Sequence, residues 1–338
     1  MIKTVVVGAG QMGRRNAQAI ALANNFSFEG ICDLQGEALS QAQAEGIPSE
    51  KCFTDIDELF RHAKPHCAII STTTPSHFPL AMKAIEHGVQ FLLVEKPFCS
   101  SLSQVKALQQ RCENSGIRLA VNHGIRFAEQ YQQIKKMCGT PGLGDLCSMT
   151  LSAGNMGLAM NGSHMFELFH FLTGETPESA TAWFMPDPQQ NPRGEAFRDA
   201  AGQVRLVTPS GKRLYLEIGP DQFHGLSFSL NFRYGQVFVD LLSKQCLLNR
   251  RKEEFLALPS TRYGMPCHTE SHPLSVSSVV ELSAKVLEAM ETNENYPDGK
   301  VGERIIRTLV AAYLSHERGH IPVAIYGEMP EEREFAWA

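Results

Sequence analysis

The chain has 338 residues, enough for two domains with sizeable hydrophobic cores. Hydrophobic residues make up 43% of it and charged residues 20%, which is typical of an ordinary soluble globular protein. The net charge is −5 and no long basic run is present, so we expect binding neither to nucleic acid nor to an anionic membrane.

The first predicted element is a short apolar strand, residues 5–7, that leads into a glycine-rich turn and a helix. The turn has the spacing GxGxxG. Gly8 permits the tight turn, Gly10 allows the backbone to approach a pyrophosphate, and Gly13 allows the helix to pack on the strand. Amides at the helix start, Gln11 and Met12 among them, would face the phosphates. Alone, this spacing also occurs in ordinary strand-to-helix turns.

The following elements favour a dinucleotide site. Residues 14–23 have helical composition, residues 26–31 read as a second strand, and Asp33 follows that strand. A carboxylate about twenty residues past the last glycine accepts hydrogen bonds from the ribose hydroxyls and would repel a 2′-phosphate. The sequence therefore favours NAD over NADP. Asp33 has a second interpretation, as a solvated residue or the cap of a helix beginning near Gly36.

Further strands and helices alternate through residue 121 with short connections. Helices are predicted over 36–45, 79–87 and 102–115, with a short acidic helix within 53–62, and buried strands over 67–71, 91–94 and 117–121. This order predicts an α/β fold with a doubly wound parallel sheet. The polar turn at 72–77 follows a strand, at the edge where such sheets bind ligands.

Three motifs in this half carry a family resemblance: GAGQMG at 8–13, TTTPSH at 72–77 and VEKP at 94–97. Their order and spacing resemble the glucose-fructose oxidoreductase and inositol dehydrogenase family, also called Gfo/Idh/MocA. The resemblance implies a Rossmann dinucleotide-binding domain over 1–122 and a substrate-binding and oligomerisation α+β domain over 123–338. It also implies cofactor contacts from the second and third motifs, namely Thr72, Thr73, Pro75, His77, Glu95 and Lys96.

Lys96 is the first candidate catalytic residue. The resemblance places it beside nicotinamide and substrate, where an ammonium group offsets the negative charge that develops on the reacting oxygen. A surface lysine in a turn is the alternative. Asn122 and His123 lie in a segment that resembles the place where the chain of family members crosses into the second domain. They have two interpretations: contacts to substrate or nicotinamide, or hinge residues. Arg126 belongs to the same segment and is a candidate substrate contact.

From about residue 145 the pattern changes to alternation of apolar and polar residues, seen over 213–218, 227–232 and 237–241. Such alternation predicts a large, mostly antiparallel sheet with one face packed on helices. The resemblance implies a homodimer or homotetramer formed through the other face. Residues 186–193 read as a loop, residues 250–252 as a solvated turn, and residues 274–292 and 300–317 as two amphipathic helices.

Residues 161–174 form the second informative stretch, with apolar residues at helical spacing and Gly174 at the end. It is similar to the family's catalytic helix, which assigns His164 as the acid/base residue and Glu167 as its neighbour one turn on. Imidazole suits this task because it titrates near physiological pH. Asn161 is a further candidate substrate contact. A helix-start histidine that satisfies backbone groups is the alternative for His164.

The chain departs from the family pattern at Met160, where many family dehydrogenases carry an aspartate that orients the histidine or joins a proton relay. Asn161, Asn155 and Glu167 are candidates for the missing polar contact, and the sequence does not choose among them. We expect no metal site, because His170 lies six positions after His164 and points elsewhere on the helix.

The nine cysteines are scattered without CxxC pairs, which argues against a disulfide framework and against a cysteine zinc site. Met1 leads into the first strand within a few residues, and no apolar stretch approaches the roughly 18 residues of a membrane helix. We therefore expect a cytoplasmic protein without a signal peptide.

Together these features predict an NAD-dependent oxidoreductase that transfers a hydride between nicotinamide and a hydroxyl or keto carbon. The resemblance implies a sugar, nucleotide sugar or cyclic polyol as substrate. Two alternatives remain open: a glycosidase of the same fold that uses NAD, and a dinucleotide-sensing regulator that has lost its activity.

Overall fold

The computed structural model describes residues 1–186, 190–259 and 265–337. The chain forms two compact units. Unit 1 comprises Met1–Phe127, Ser278–Ile306 and Pro330–Ala338, and unit 2 comprises Ala128–Ser277 and Arg307–Met329. A single boundary at residue 122 did not anticipate the two carboxyl-terminal segments in unit 1. The functional division into a dinucleotide-binding and a substrate-binding domain stays a prediction.

The helices and strands of the described residues are as follows. The helices are α1 Gln11–Leu22, α2 Gly36–Ala44, α3 Ile56–Ala63, α4 Thr74–Glu86, α5 Leu102–Asn114, α6 Glu129–Cys138, α7 Ser163–Thr173, α8 Val279–Thr292 and α9 Gly299–Glu317. The strands are β1 Ile2–Val7, β2 Phe26–Cys32, β3 Cys52–Phe53, β4 Cys67–Ile70, β5 Phe91–Val94, β6 Arg118–Val121, β7 Leu146–Gly154, β8 Ser179–Phe184, β9 Gly202–Val207, β10 Arg213–Gly219, β11 Ser227–Phe232, β12 Gly235–Asp240, β13 Gln245–Arg251, β14 Cys267–Pro273 and β15 Val323–Ala324.

Unit 1 is built on a six-stranded sheet in the order β3-β2-β1-β4-β5-β6, with every neighbouring pair parallel. This is the doubly wound Rossmann order, which confirms the predicted fold class. Strand order reverses between β1 and β4, so their carboxyl ends leave a crevice where open α/β sheets bind ligands.

The core of unit 1 lies between the sheet and its helices. Val6, Ile31, Ile69 and Leu93 are fully buried, as parallel strands covered on both faces require. The same core contains Leu287 and other apolar residues of α8. This packing places α8 in unit 1, although α8 begins more than 150 positions after residue 123, the predicted start of the second domain.

One boundary prediction in unit 1 is wrong. Helix α4 begins at Thr74, within the TTTPSH motif, whereas we predicted its start at Pro79. Pro75 lies in the first turn, where a missing amide hydrogen costs little because these amides have no partner within the helix. Only Thr72 and Thr73 of the motif therefore precede the helix, and Thr73 is its N-cap residue.

Unit 2 contains a nine-stranded sheet in the order β14-β13-β12-β11-β7-β10-β9-β8-β15. Strands β7 and β10 run parallel, and the other neighbouring pairs are antiparallel. The predicted alternation is confirmed in β10 and β11, where apolar residues are buried and their neighbours are more exposed. A mostly antiparallel sheet with one packed face follows, as predicted.

Three further segments differ from prediction. Helix α8 begins at Val279 rather than near residue 274, because Ser278 and Glu281 form a capping box there. Arg250 and Arg251 lie in strand β13 rather than in a turn. The predicted loop 186–193 lies partly outside the described residues. Within the described ranges, no helix is both long and apolar enough to cross a membrane.

Candidate dinucleotide site and catalytic helix

The glycine-rich turn lies between β1 and α1 at the crevice where the strand order reverses. Gly8 has φ +103°, and a Cβ built on it would lie 2.7 Å from the backbone carbonyl carbon and oxygen of Ser71. A Cβ on Gly13 would lie 1.8 Å from the carbonyl oxygen of Gly8. The tight turn is therefore possible only because neither residue carries a Cβ. A Cβ on Gly10 would meet nothing within 4 Å, which leaves its side of the turn open to a ligand.

The start of α1 fits a pyrophosphate. Gly10 is the N-cap residue and has no side chain that could accept from the first amides of this helix. Gln11 is exposed and Met12 half-buried, so both lie at the surface of the turn. Unpaired amides and the positive end of the helix dipole attract an anion. The turn is thus suited to the phosphates of a dinucleotide.

The Asp33 carboxylate ties the end of β2 to the glycine-rich turn. Its Oδ2 accepts a hydrogen bond of 2.7 Å from the Ala9 amide, and its Oδ1 accepts one of 2.9 Å from the Gln35 amide. The N-cap residue of α2 is Gln35, so the alternative that Asp33 caps this helix is wrong. The carboxylate lies beside the predicted phosphate site, and its contact with ribose stays a prediction.

His77 is buried and connects two segments at the carboxyl edge of the sheet. Its Nδ1 lies 2.9 Å from the Pro97 carbonyl oxygen, and its Nε2 lies 3.1 Å from the Thr72 carbonyl oxygen. Burial lowers the pKa of this imidazole. The neutral ring donates to one carbonyl only. His77 thus joins the second motif to the third, and its direct contact with cofactor stays a prediction.

The third motif follows β5 and centres on a buried carboxylate. Glu95 is 4% exposed, and its Oε1 accepts hydrogen bonds from the side-chain amides of Asn16 at 2.9 Å and Asn122 at 2.6 Å. Lys96 is the next residue and is half-buried. Glu95 therefore holds together α1, β5 and the end of β6 directly behind Lys96. Sequence reasoning missed Asn16, whose only signal is an amide among the apolar residues of α1.

The segment after β6 makes internal contacts in unit 1. The Asn122 amide also donates to the Ser283 hydroxyl at 3.0 Å, and one Arg126 Nη donates to the Asn295 side chain at 3.1 Å. His123 is buried. These contacts suit the hinge interpretation of Asn122, and substrate contacts from this segment stay predictions.

The predicted catalytic helix lies in unit 2, on a continuous helical segment. A π-helical turn, Leu158–Gly162, leads directly into α7, and Gly174 ends α7 with φ 72°, as predicted. His164 is half-buried near the start of α7, and Glu167 is fully buried one turn on. Asn155 is exposed, at the end of β7.

A carboxylate that sequence reasoning missed holds the π-helical turn. Asp199 Oδ1 accepts a hydrogen bond of 2.6 Å from the Ala159 amide, and its Oδ2 accepts one of 2.8 Å from the Met160 amide. No local pattern marks Asp199, since it lies 39 residues from Met160 in the chain. Across the described residues, no three His, Cys, Asp or Glu side chains form a group suited to a metal ion.

Comparisons with known proteins bear on this arrangement. A family model described as "Oxidoreductase family, NAD-binding Rossmann fold" matches residues 2–123. The chain is 27% identical to a D-apiose dehydrogenase of Paraburkholderia graminis over 53% of this chain and 52% of that protein. It is 29% identical to the scyllo-inositol 2-dehydrogenase (NAD(+)) of Bacillus subtilis over 40% of this chain and 39% of that protein. The chain thus spans about half the length of the curated relatives it matches, or less.

A solved structure shows the same fold over nearly the whole chain. It is an oxidoreductase from Agrobacterium radiobacter in complex with NAD⁺, L-tartaric acid and magnesium. The TM-score is 0.79 at 18% identity, covering 96% of this chain and 98% of that one. Residues 2–123 thus match the Gfo/Idh/MocA model of oxidoreductases with an NAD-binding Rossmann fold. The six-stranded Rossmann order and the motifs at the carboxyl ends of β1, β4 and β5 agree with this match.

Proposed function

We propose that the protein is an NAD-dependent oxidoreductase that transfers a hydride between nicotinamide and a hydroxyl or keto carbon of a sugar, nucleotide sugar or cyclic polyol. The observation that carries the proposal is the open glycine-rich turn at the reversal of strand order, within the stretch that matches the NAD-binding family. The names of two relatives, a D-apiose dehydrogenase and a scyllo-inositol 2-dehydrogenase, support a polyhydroxylated substrate.

The cofactor role belongs to unit 1. The turn from Gly8 to Gly13 would hold the pyrophosphate, and Asp33 would hold the ribose. The Asp33 carboxylate would also repel the 2′-phosphate of NADP, which supports NAD as the preferred cofactor. Bound NAD supplies the hydride chemistry. Further contacts are proposed for the second and third motifs, namely Thr72, Thr73, Pro75, His77 and Glu95.

Two side chains would serve the reacting hydroxyl or carbonyl. The Lys96 ammonium would hydrogen-bond the substrate oxygen and offset its negative charge as the carbon is oxidised or reduced. His164 would take up or return the hydroxyl proton, a task suited to a group that titrates near neutral pH. Substrate contacts are also proposed for four other residues: Asn122, His123, Arg126 and Asn161.

A second copy of the chain is the partner that we propose for the open face of the nine-stranded sheet. Tyr215, Phe238 and Leu247 are 40%, 47% and 37% exposed, and the strand register places them in one row across this face. Ser229 and Thr150 lie between Phe238 and Tyr215 in this row. Exposed apolar side chains among uncharged polar ones favour a self-complementary contact. Light scattering should report a dimer or tetramer, and Phe238→Asp should lower the mass. A wild-type monomer would refute this proposal.

We also propose a reducing, cytoplasmic setting. The nine cysteines are free thiols, and five of them are buried. Burial raises the pKa of the Cys67 thiol to about 12, so this group stays protonated and chemically quiet at neutral pH.

The function is tested first on the cofactor and then on turnover. Fluorescence titration should show NADH binding tighter than NADPH, and Asp33→Ala should remove that preference. A screen of sugars and polyols should then show NADH formation that Lys96→Ala and His164→Ala each abolish. Binding without turnover would favour the sensing regulator, and hydrolysis without net NADH would favour the glycosidase. Binding of neither dinucleotide would refute the proposal.

A further inference from the structure

The helical segment that carries His164 begins with three amides held from outside it. The first amides of a helix have no partner within the helix. Here Leu158 donates to the Ala200 carbonyl oxygen at 2.8 Å, and Ala159 and Met160 donate to the two carboxylate oxygens of Asp199. Two consecutive residues of a distant loop thus satisfy three consecutive amides.

The pocket around Asp199 fits a carboxylate closely. The residue is 2% exposed, and each of its oxygens accepts a hydrogen bond from a different amide. A Cβ on Gly157 would lie 2.1 Å from Asp199 Oδ2, so the side chain occupies the space that this glycine leaves free. A charged acceptor at the positive end of a helix makes stronger hydrogen bonds than a neutral one.

The held turn is continuous with the first turn of α7. The Asn161 and Gly162 amides both donate to the Gly157 carbonyl oxygen, at 2.9 and 3.0 Å. The Ser163 hydroxyl donates to the Ala159 carbonyl oxygen at 2.7 Å. His164 is the next residue. Whatever fixes the turn at 158–160 therefore fixes the backbone from which the imidazole projects.

We propose that Asp199 is a positioning residue, which holds the π-helical turn so that His164 is oriented for proton exchange. This inference rests on the proposed function, since it takes His164 as the proton-exchanging group. Met160 supplies no carboxylate to this turn, and Asp199 brings one to its backbone from another part of unit 2. The role is indirect, because it acts through the amides of the turn.

The test compares two variants of the full chain by peptide-resolved carbethoxylation of histidines with diethylpyrocarbonate. Asp199→Asn keeps the side-chain shape but turns an NH₂ group toward one of the two amides. Ser315→Ala is the matched control. The Ser315 hydroxyl accepts from the Ala182 amide at 3.0 Å and donates to the Ile321 carbonyl oxygen at 2.7 Å, so its loss also removes two backbone contacts in unit 2, one buried and one partly buried.

We expect Asp199→Asn to raise the modification rate of His164 about tenfold relative to the exposed His268, because the freed turn opens more often. Ser315→Ala should leave this ratio unchanged, and both variants should bind NADH as the wild type does. On a sugar or polyol that the wild type oxidises, Asp199→Asn should lower kcat with little change in KM.

An unchanged His164 rate in Asp199→Asn, or an equal rise in Ser315→Ala, would overturn the proposal. If Asp199→Asn does not fold, Gly157→Ala serves instead. The backbone at Gly157 has φ −95° and ψ 153°, which suits alanine, and the three atoms nearest to the new Cβ all belong to the Asp199 side chain that it would displace. The modification rates need no substrate. Failure of the oxidoreductase proposal therefore appears as absent turnover, separately from the positioning result.

Discussion

Alanine substitutions at Gly10 and Gly13 should separate the approach of cofactor from the integrity of the turn. A Cβ at Gly13 would lie 1.8 Å from the Gly8 carbonyl oxygen and 2.8 Å from its carbonyl carbon. Both atoms belong to the backbone and cannot rotate away. A Cβ at Gly10 meets no atom within 4 Å, and the backbone there has φ −61° and ψ −178°, which alanine adopts without strain.

The two substitutions therefore have different expected effects on stability. Overpacking at Gly13 costs about 3 kcal/mol, of which the better helix propensity of alanine returns about 1, so Gly13→Ala should lose about 2 kcal/mol. Gly10→Ala should change the stability by less than about 0.5 kcal/mol, because the lower entropy of the unfolded chain offsets the loss of glycine at the N-cap position. Its Cβ would instead meet the pyrophosphate, and a steric cost of about 2 kcal/mol corresponds to about 30-fold weaker NADH binding.

Urea unfolding and NADH fluorescence titration measure the two effects on the same preparations. Gly36→Ala is the control, since a Cβ there meets nothing within 4 Å and Gly36 begins α2 rather than α1. It should change neither the stability by more than about 0.5 kcal/mol nor the NADH affinity. Wild-type affinity in Gly10→Ala would refute the argument that the backbone at Gly10 approaches the pyrophosphate. A fully stable Gly13→Ala would refute the close contact within the turn.

Two predictions concern buried and paired carboxylates. A hydrogen bond from Lys212 lowers the pKa of Glu175 to about 2, below the value in the unfolded chain. The ionised carboxylate therefore contributes to the free energy of unfolding above about pH 4.5, and this contribution is lost as the pH falls toward 2. Glu175→Gln should lower the free energy of unfolding by about 1 kcal/mol at pH 7 after solvent screening. Urea unfolding at pH 2.5 should show a smaller difference between variant and wild type, and a difference that does not change with pH would contradict this. Glu95→Ala leaves the Asn16 and Asn122 amides without their buried acceptor and should cost about 3 kcal/mol in urea unfolding, which a loss below about 1 kcal/mol would contradict.

Local patterns in the sequence were sufficient for most elements that repeat or punctuate the chain. Runs of apolar residues marked β4 and β5, alternation marked β10 and β11, and Gly174 marked the end of α7. These signals work because burial and φ restrictions act on neighbouring residues. The start of α4 was missed, because Pro75 and Pro79 are typical of a turn. Pro75 lies in the first helical turn, where a proline loses no internal hydrogen bond, and Pro79 lies inside the helix.

The sequence by itself determined the parallel Rossmann sheet, the antiparallel sheet and the position of the glycine-rich turn, because each follows from the spacing of residue types over a short stretch of chain. Only the tertiary structure decided that Glu95 is held by amides from α1 and β6, that α8 completes the core of unit 1, and that Asp199 holds the turn before His164. These contacts join residues 27 or more positions apart, as between Glu95 and Asn122 at 27 positions or Asn16 and Glu95 at 79. Such pairs leave no periodic trace in the chain, because they depend on which surfaces meet after the elements have packed.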